Sequence, residues 1–186
     1  LTIAMNLDTG AVLHVVEGRG EDSLRAFARR LKLARARIVA VAVDMAGGYT
    51  HWAERHFPDA AIVYDHFHVI KLMNERLDQV RREAMRNAAT DPERKRIKGR
   101  RWLLLRGIEQ LDRDARRELR DLWDANRPIA IASMLKEKLR WIYSGCRDWE
   151  SAATELANWC GLAKVSGIAP LVTMARTIRK RWNGIL

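Results

Sequence analysis

The spacing of apolar and polar positions divides the chain near Asp65. Before that point short apolar runs alternate with turn residues, and after it apolar residues recur every three or four positions. Leu1 to Asn6 and Ala11 to Val16 flank Asp8-Thr9-Gly10, an Asp and Gly turn signal that predicts a β-hairpin. Glu21 to Leu33 carries Leu24, Phe27 and Leu31 on one side and Arg25, Arg29 and Arg30 on another. Acidic residues stand at its start, where the helix dipole favours them, so an amphipathic helix is predicted. Ile38 to Val43 is an unbroken apolar run ending at Asp44, the pattern of a strand covered on both faces. Gly47-Gly48 loosens the chain, Tyr49 to Phe57 reads as a second helix closed by Pro58, and Ala60 to Tyr64 is a further buried-type strand ending at Asp65. A hairpin followed by strand, helix and strand implies a mixed sheet covered by helices.

Past Asp65 the strand signals vanish. Val69, Met73, Leu77, Val80 and Ala84 predict one long amphipathic helix over about Phe67 to Ala88, ending near Asp91-Pro92. Further helices are expected over Trp102 to Gln110, Arg113 to Asn126, Ile129 to Ser144, Trp149 to Trp159 and Lys164 to Trp182. Trp102, Trp123, Trp141 and Trp159 fall on apolar helix faces, which assigns them to the core; an exposed Trp would instead offer a face on which an unpaired base stacks. The expected organisation is an α/β portion at 1–66 and an all-helical portion at 67–186.

Charge narrows the class of partner. Among 186 residues, 34 Lys and Arg face 23 Asp and Glu, a net charge of +11, while a hydrophobic content of 48% excludes a disordered polycation. A folded basic protein points to a polyanion, most often nucleic acid. No apolar run approaches the roughly 20 residues that span a bilayer, so no membrane association and a cytoplasmic location are expected. Cys146 and Cys160 lack zinc spacing and are expected as free thiols. No phosphate-binding Gly-rich loop and no Gly-x-Ser-x-Gly elbow occurs, which removes support for nucleotide-driven motors and serine hydrolases.

Three sets of residues are candidates for chemistry. Asp44 and Asp65 each follow an apolar strand, where open α/β sheets carry ligand and catalytic groups, although the same spacing suits a carboxylate that caps the next turn. Asp65-His66-Phe67-His68 puts a carboxylate three residues before an imidazole at a helix start, a spacing that lets the carboxylate orient His68, raise its pKa or share a metal with it. His14, His51 and His56 have no partner at ligand spacing and are expected at the surface. The run Arg94, Lys95, Arg96, Ile97, Lys98, Gly99, Arg100, Arg101 puts six basic residues in eight positions, which suits phosphate contact or a solvated helix face.

These motifs carry a family resemblance. Val43-Asp44-Met45-Ala46, Phe57-Pro58-Asp59-Ala60, the stretch Asp65-His66-Phe67-His68-Val69-Ile70-Lys71-Leu72-Met73-Asn74, and Arg81-Arg82 closely resemble the DDE-type transposases of the ISL-three group of bacterial insertion sequences. Asn6-Leu7-Asp8-Thr9-Gly10 is similar to that group's second-strand turn, Trp102-Leu103-Leu104-Leu105 to its helical insertion, and Trp182-Asn183-Gly184-Ile185-Leu186 to the segment before its last catalytic motif. The resemblance implies a ribonuclease H-like mixed sheet, incomplete because its first strand is missing, interrupted by a large all-helical insertion. It implies Mg2+ or Mn2+ as cofactor, two ions in the complete enzyme, and an activity that cuts and rejoins DNA at transposon ends and target. One ion would activate the attacking water and the other stabilise the leaving 3′ oxygen.

Asp44 matches the second Asp of the metal-binding triad, and Asp65 with His68 resembles the Asp-x-x-His motif of related transposases, so the resemblance makes Asp44, Asp65 and His68 the catalytic candidates. Asp8 lies in the hairpin turn and is no substitute for the first Asp. The sequence is therefore expected to be a central fragment that lacks the first Asp and the Glu and does not catalyse alone. A homo-oligomer is expected when the complete enzyme acts. Two other classes compete: a non-catalytic basic DNA-binding relic or domesticated module of transposase origin, and a ribonuclease H-like nuclease acting on branched or hybrid substrates.

Overall fold

In the hairpin, Asn6 organises the turn: its Oδ1 accepts from the backbone N–H of Asp8 at 2.8 Å and of Thr9 at 3.1 Å, while Gly10 takes the left-handed φ of 72° that closes the loop. Strands β1 (Thr2–Met5) and β2 (Val12–Val16) pair antiparallel around it with Ile3 opposite Val15, and a bulge lies between Ala4 and Met5. These observations come from a computed structural model, which describes every residue of the chain except Arg19 and Ala46.

A short 3-10 turn at Glu21–Leu24 leads into α1 (Arg25–Leu33). Strands β3 (Ala40–Val43) and β4 (Ala61–Tyr64) are joined through α2 (Gly47–His56) and pair in parallel. Leu24, Phe27 and Ala28 of the first helical stretch and Trp52 and Ala53 of α2 form the core of this unit, Leu1–Asp65. Ala4 and Leu13 of the hairpin and Val41 and Ile62 of the parallel pair pack against that core, so both ladders turn one face to the same helices.

Three expectations change here. The single mixed sheet is two separate two-stranded ladders among the described residues, β1 with β2 and β3 with β4. The run at Ile38 to Val43 is a shorter strand that alternates exposed and half-buried positions, because helices cover only one of its faces; Val39 before it and Val63 beside it are exposed. His14 is also not a surface residue. Its ring stacks on Phe27 with centroids 5.2 Å apart.

The second unit, His66–Leu186, is all helical among its described residues. It comprises α3 (His66–Asn87), α4 (Asp91–Ile97), α5 (Arg101–Leu105), a 3-10 turn at Ile108–Gln110, α6 (Arg113–Ala125), α7 (Arg127–Gly145), α8 (Trp149–Val165), α9 (Ala169–Lys180) and the short α10 (Trp182–Ile185). Val69, Met73, Leu77 and Val80 on α3 meet the apolar stripes of α7 and α9, and Trp159 on α8 is fully buried with its indole N–H donating to the Leu135 carbonyl at 2.7 Å. Asp112, Asn126 and Asp148 cap α6, α7 and α8 by accepting from backbone N–H groups three residues on, the first-turn signal a helix start needs.

The segment after α3 departs from expectation. Asp91-Pro92 opens a helix instead of closing one: Thr90 accepts from the Glu93 N–H, and the Glu93 carboxylate returns to the Thr90 N–H. This capping box, with Pro in the first turn, builds α4. Downstream, Lys164 and Val165 finish α8, and α9 starts only at Ala169 after a turn in which Gly167 takes φ 67°. Both cysteines are free, Cys160 buried and Cys146 half-buried.

Candidate carboxylate site and nucleic-acid interface

The parallel ladder fixes the two strand-end carboxylates. Val43 pairs with Tyr64, and the Asp65 N–H donates to the Val43 carbonyl at 3.3 Å, so the next residues, Asp44 and Asp65, stand at one level on neighbouring strands. Strand spacing separates such backbones by about 4.8 Å. Both lie at the carboxyl ends of parallel strands, the rim where α/β sheets carry their ligands. Asp44 is half-buried and Asp65 exposed. The Tyr64 hydroxyl donates to Thr50 of α2 at 3.3 Å, which ties this end of β4 to the helix that follows Asp44.

A pair of Mg2+ ions requires several converging oxygen ligands. Among the described residues no group of three His, Cys, Asp or Glu side chains gathers into a metal cage. Asp65 is the last residue of the first unit, and His68 lies in the first turn of α3 in the second. The ring of His68 meets Phe67 edge-on at 5.7 Å, and that of His66 lies 5.7 Å from Tyr143 on α7.

The basic run occupies α4, the turn after it, and α5. Buried Ile97 and Leu104, seven residues apart, anchor these two short helices, and between them Gly99 takes φ 79° to reset the chain direction. With those anchors turned inward, Arg94, Lys95, Arg96, Lys98 and Arg101 are exposed and Arg100 half-buried. Three of the six have carboxylate partners: Arg94 with Asp91 at 3.2 Å, Arg100 with Glu118 at 2.5 Å, and Arg101 with Asp78 at 3.6 Å. Lys95, Arg96 and Lys98 form no ion pair with a described residue, and they are the cations best suited to phosphate. Arg96 also borders an open cavity of about 480 Å³ with Glu83 and Glu93 on its wall.

The Trp assignments hold only for Trp159. Trp123 is half-buried, Trp141 is 50% exposed, and Trp102 is 66% exposed with the Arg101 guanidinium 5.1 Å from its ring centroid. Two polar centres were not singled out from the sequence. Asp78 on α3, 14% exposed, is a hub that pairs with Arg81 at 2.8 Å and Arg82 at 3.4 Å as well as with Arg101; its spacing of three and four residues from the first two is a legible helical signal. Lys136 is 1% exposed. Its ammonium donates to the Leu104 carbonyl at 2.8 Å and to that of Arg106, and pairs with Glu137 at 2.6 Å. Burial pushes its pKa down, opposed by the Glu137 carboxylate. The position of Lys136 on the apolar stripe of α7, between Ala132 and Leu139, is the signal that marked it.

The first unit thus carries strand-end carboxylates at the rim of a parallel ladder, and the second carries an exposed basic run. Comparison with known families gives the class directly: the DDE transposase family of the ISL3 group, described as Transposase, matches residues 1–186, and the chain belongs to it. Among curated relatives, the transposase for insertion sequence element IS1001 of Bordetella parapertussis is 38% identical over 180 residues, covering 94% of this chain and 44% of its own length. The transposase for insertion sequence element IS1557 of Mycobacterium tuberculosis is 27% identical over 203 residues, covering 97% of this chain and 45% of its own length. The chain thus spans less than half the length of these relatives. No solved structure matches it. No described helix is long and apolar enough to cross a membrane.

Proposed function

We propose that the protein acts in DDE-type transposition, cleaving DNA at insertion-sequence ends and joining the freed 3′-OH to target DNA. The observation that carries this reading is the level pairing of Asp44 and Asp65 at the carboxyl ends of β3 and β4, in a chain that matches a transposase family along its whole length. Asp44 is one carboxylate of the divalent-metal set that this activity needs. Asp65 and His68 join it as catalytic candidates.

The same reading accounts for the divided sheet. The β1–β2 ladder is antiparallel, the β3–β4 ladder is parallel, and both pack one face on α1 and α2. They are two parts of a ribonuclease H-like mixed sheet, and the helices of His66–Leu186 are its insertion. Lys95, Arg96 and Lys98 hold DNA by its phosphates without reading sequence, since ammonium and guanidinium groups neutralise the backbone irrespective of base.

The test uses the purified transposase containing this chain, a plasmid bearing the element's ends, and Mg2+ with EDTA as control. Joint molecules that carry the element's 3′ ends in target DNA are expected with Mg2+ and absent with EDTA. Nicks without joining would identify a nuclease, and binding without either would identify a DNA-binding module; both overturn the proposal.

A further inference from the structure

We propose that the end of α1 and the turn after it, Arg29 to Arg37, are a second phosphate contact for duplex DNA, on the unit that carries Asp44. This inference rests on DNA being the substrate and adds a surface that holds it, apart from α4 and α5.

Between Asp22 and Asp44 the chain has no acidic residue, and Arg29, Arg30, Lys32, Arg35 and Arg37 put five cations in nine positions. All five are exposed, and none forms an ion pair with a described residue; Asp22, the acid before the run, is taken by Arg25 at 2.6 Å. Leu24, Phe27 and Ala28 turn into the core, which sends Arg29 and Arg30 outward. The helix dipole favours cations in a last turn, and that accounts for Arg30 and Lys32. It does not account for Arg35 and Arg37, which lie past the helix. Arg35 stands at φ 48°, the left-handed position that glycine usually fills after a helix. Its N–H donates to the Lys32 carbonyl and that of Ala36 to the Leu31 carbonyl, both at 3.1 Å, so hydrogen bonds fix the turn. Exposed cations in a row with no carboxylate among them fit an anion that repeats along a line, as the phosphates of a DNA strand do.

The placement separates this contact from the chemistry. The Val39 carbonyl accepts from the Ala61 N–H at 3.0 Å at the amino end of the β3–β4 ladder, and Arg37 precedes it by two residues. Asp44 follows at the carboxyl end, roughly 16 Å further along the strand. The patch therefore meets DNA several nucleotides from a bond held at Asp44.

The test uses the purified transposase containing this chain and a labelled duplex carrying the element's end, with affinity read by fluorescence anisotropy across a salt series. Arg29→Gln with Lys32→Gln and Arg37→Gln should lower the slope of log affinity against log salt by about 2 to 3. Equal charge removed from α6 by Arg113→Gln, Arg117→Gln and Arg120→Gln should lower it by less than about 1, since those arginines are interleaved with Asp114, Glu118, Asp121 and Asp124. Arg35→Gly separates charge from folding: it should weaken duplex binding several-fold while Tm holds or rises, because glycine takes the left-handed turn more easily. In hydroxyl-radical footprints at saturating protein, the first triple variant should lose protection several nucleotides from the cleaved bond and keep it at that bond. An unchanged slope, as a contact for an acidic protein segment would give, or equal slopes from the two triple variants, would overturn the proposal. So would a loss of binding in Arg35→Gly that comes only with a fall in Tm. If the unaltered protein joins no DNA, the transposition reading fails on its own test, whereas the salt slopes still decide this contact.

Discussion

Lys136 is the residue at which burial and charge conflict most sharply. Its ammonium satisfies carbonyls left at the end of α5, and Glu137 offsets part of its desolvation. Lys136→Ala would leave those carbonyls without their donor, although Glu137 keeps Arg140 at 3.5 Å and the Ile108 N–H at 3.2 Å, so a loss of about 3 kcal/mol is expected in urea unfolding. The pH dependence has a definite sign. Because the folded state lowers the Lys136 pKa below its ordinary 10.5, the unfolded chain binds more protons between the two values, and this group's contribution to stability rises with pH across that window. Below it the cost of the buried charge is present in full. The rise should be smaller in Lys136→Ala. Asp78→Ala should release Arg81, Arg82 and Arg101 together and cost about 2 kcal/mol, less than a fully buried pair. Residue-level reading of the sequence succeeded where a side chain follows a strand, as with Asp44 and Asp65. It failed where exposure decides the role, as with Trp102, because α5 has five residues and no period from which a buried face can be read.

Among elements, the long helices were legible because their apolar stripes recur over several turns. The α3 pattern Val69, Met73, Leu77, Val80 is buried as spaced. Short elements obey end signals instead of periods. Thr90 and Glu93 had the capping-box spacing, but Asp91-Pro92 read equally as a helix end until the reciprocal hydrogen bonds fixed α4. Thr90→Ala is expected to cost about 1 kcal/mol, seen in thermal unfolding as a lower Tm. Gly99→Ala would force a β-carbon into φ 79° at about 1 kcal/mol or more; it should also weaken DNA binding by disturbing the orientation of α5, with the stability loss and the affinity loss read on one preparation. The β3 run misled because its continuous apolar character indicates a strand covered on both sides, whereas α1 and α2 cover only one face within the first unit. Residues that await a covering layer and residues that already have one carry the same sequence pattern.

At the scale of the whole molecule, a net charge of +11 and an exposed cationic segment predict affinity for DNA that falls with salt. Replacing Lys95, Arg96 and Lys98 with Ala should reduce the slope of log affinity against log salt by about 2 to 3 on duplex DNA; an unchanged slope would assign the run to a merely solvated face. The change from strand to helix patterns at Asp65 was visible in the sequence, and family membership was visible in its motifs. The separation of the sheet into two ladders was not, since hydrophobic runs identify strands but not their neighbours. In the proposed division of labour Asp44 serves the chemistry, while Lys95, Arg96 and Lys98 on α4 and the turn after it serve the binding. The most direct measurement compares Asp44→Asn with the unaltered transposase containing this chain, in strand cleavage and in duplex affinity. The account predicts that cleavage is lost while the Kd for end DNA stays within about twofold, because Asp44 neutralises no phosphate. Full cleavage by Asp44→Asn would contradict it.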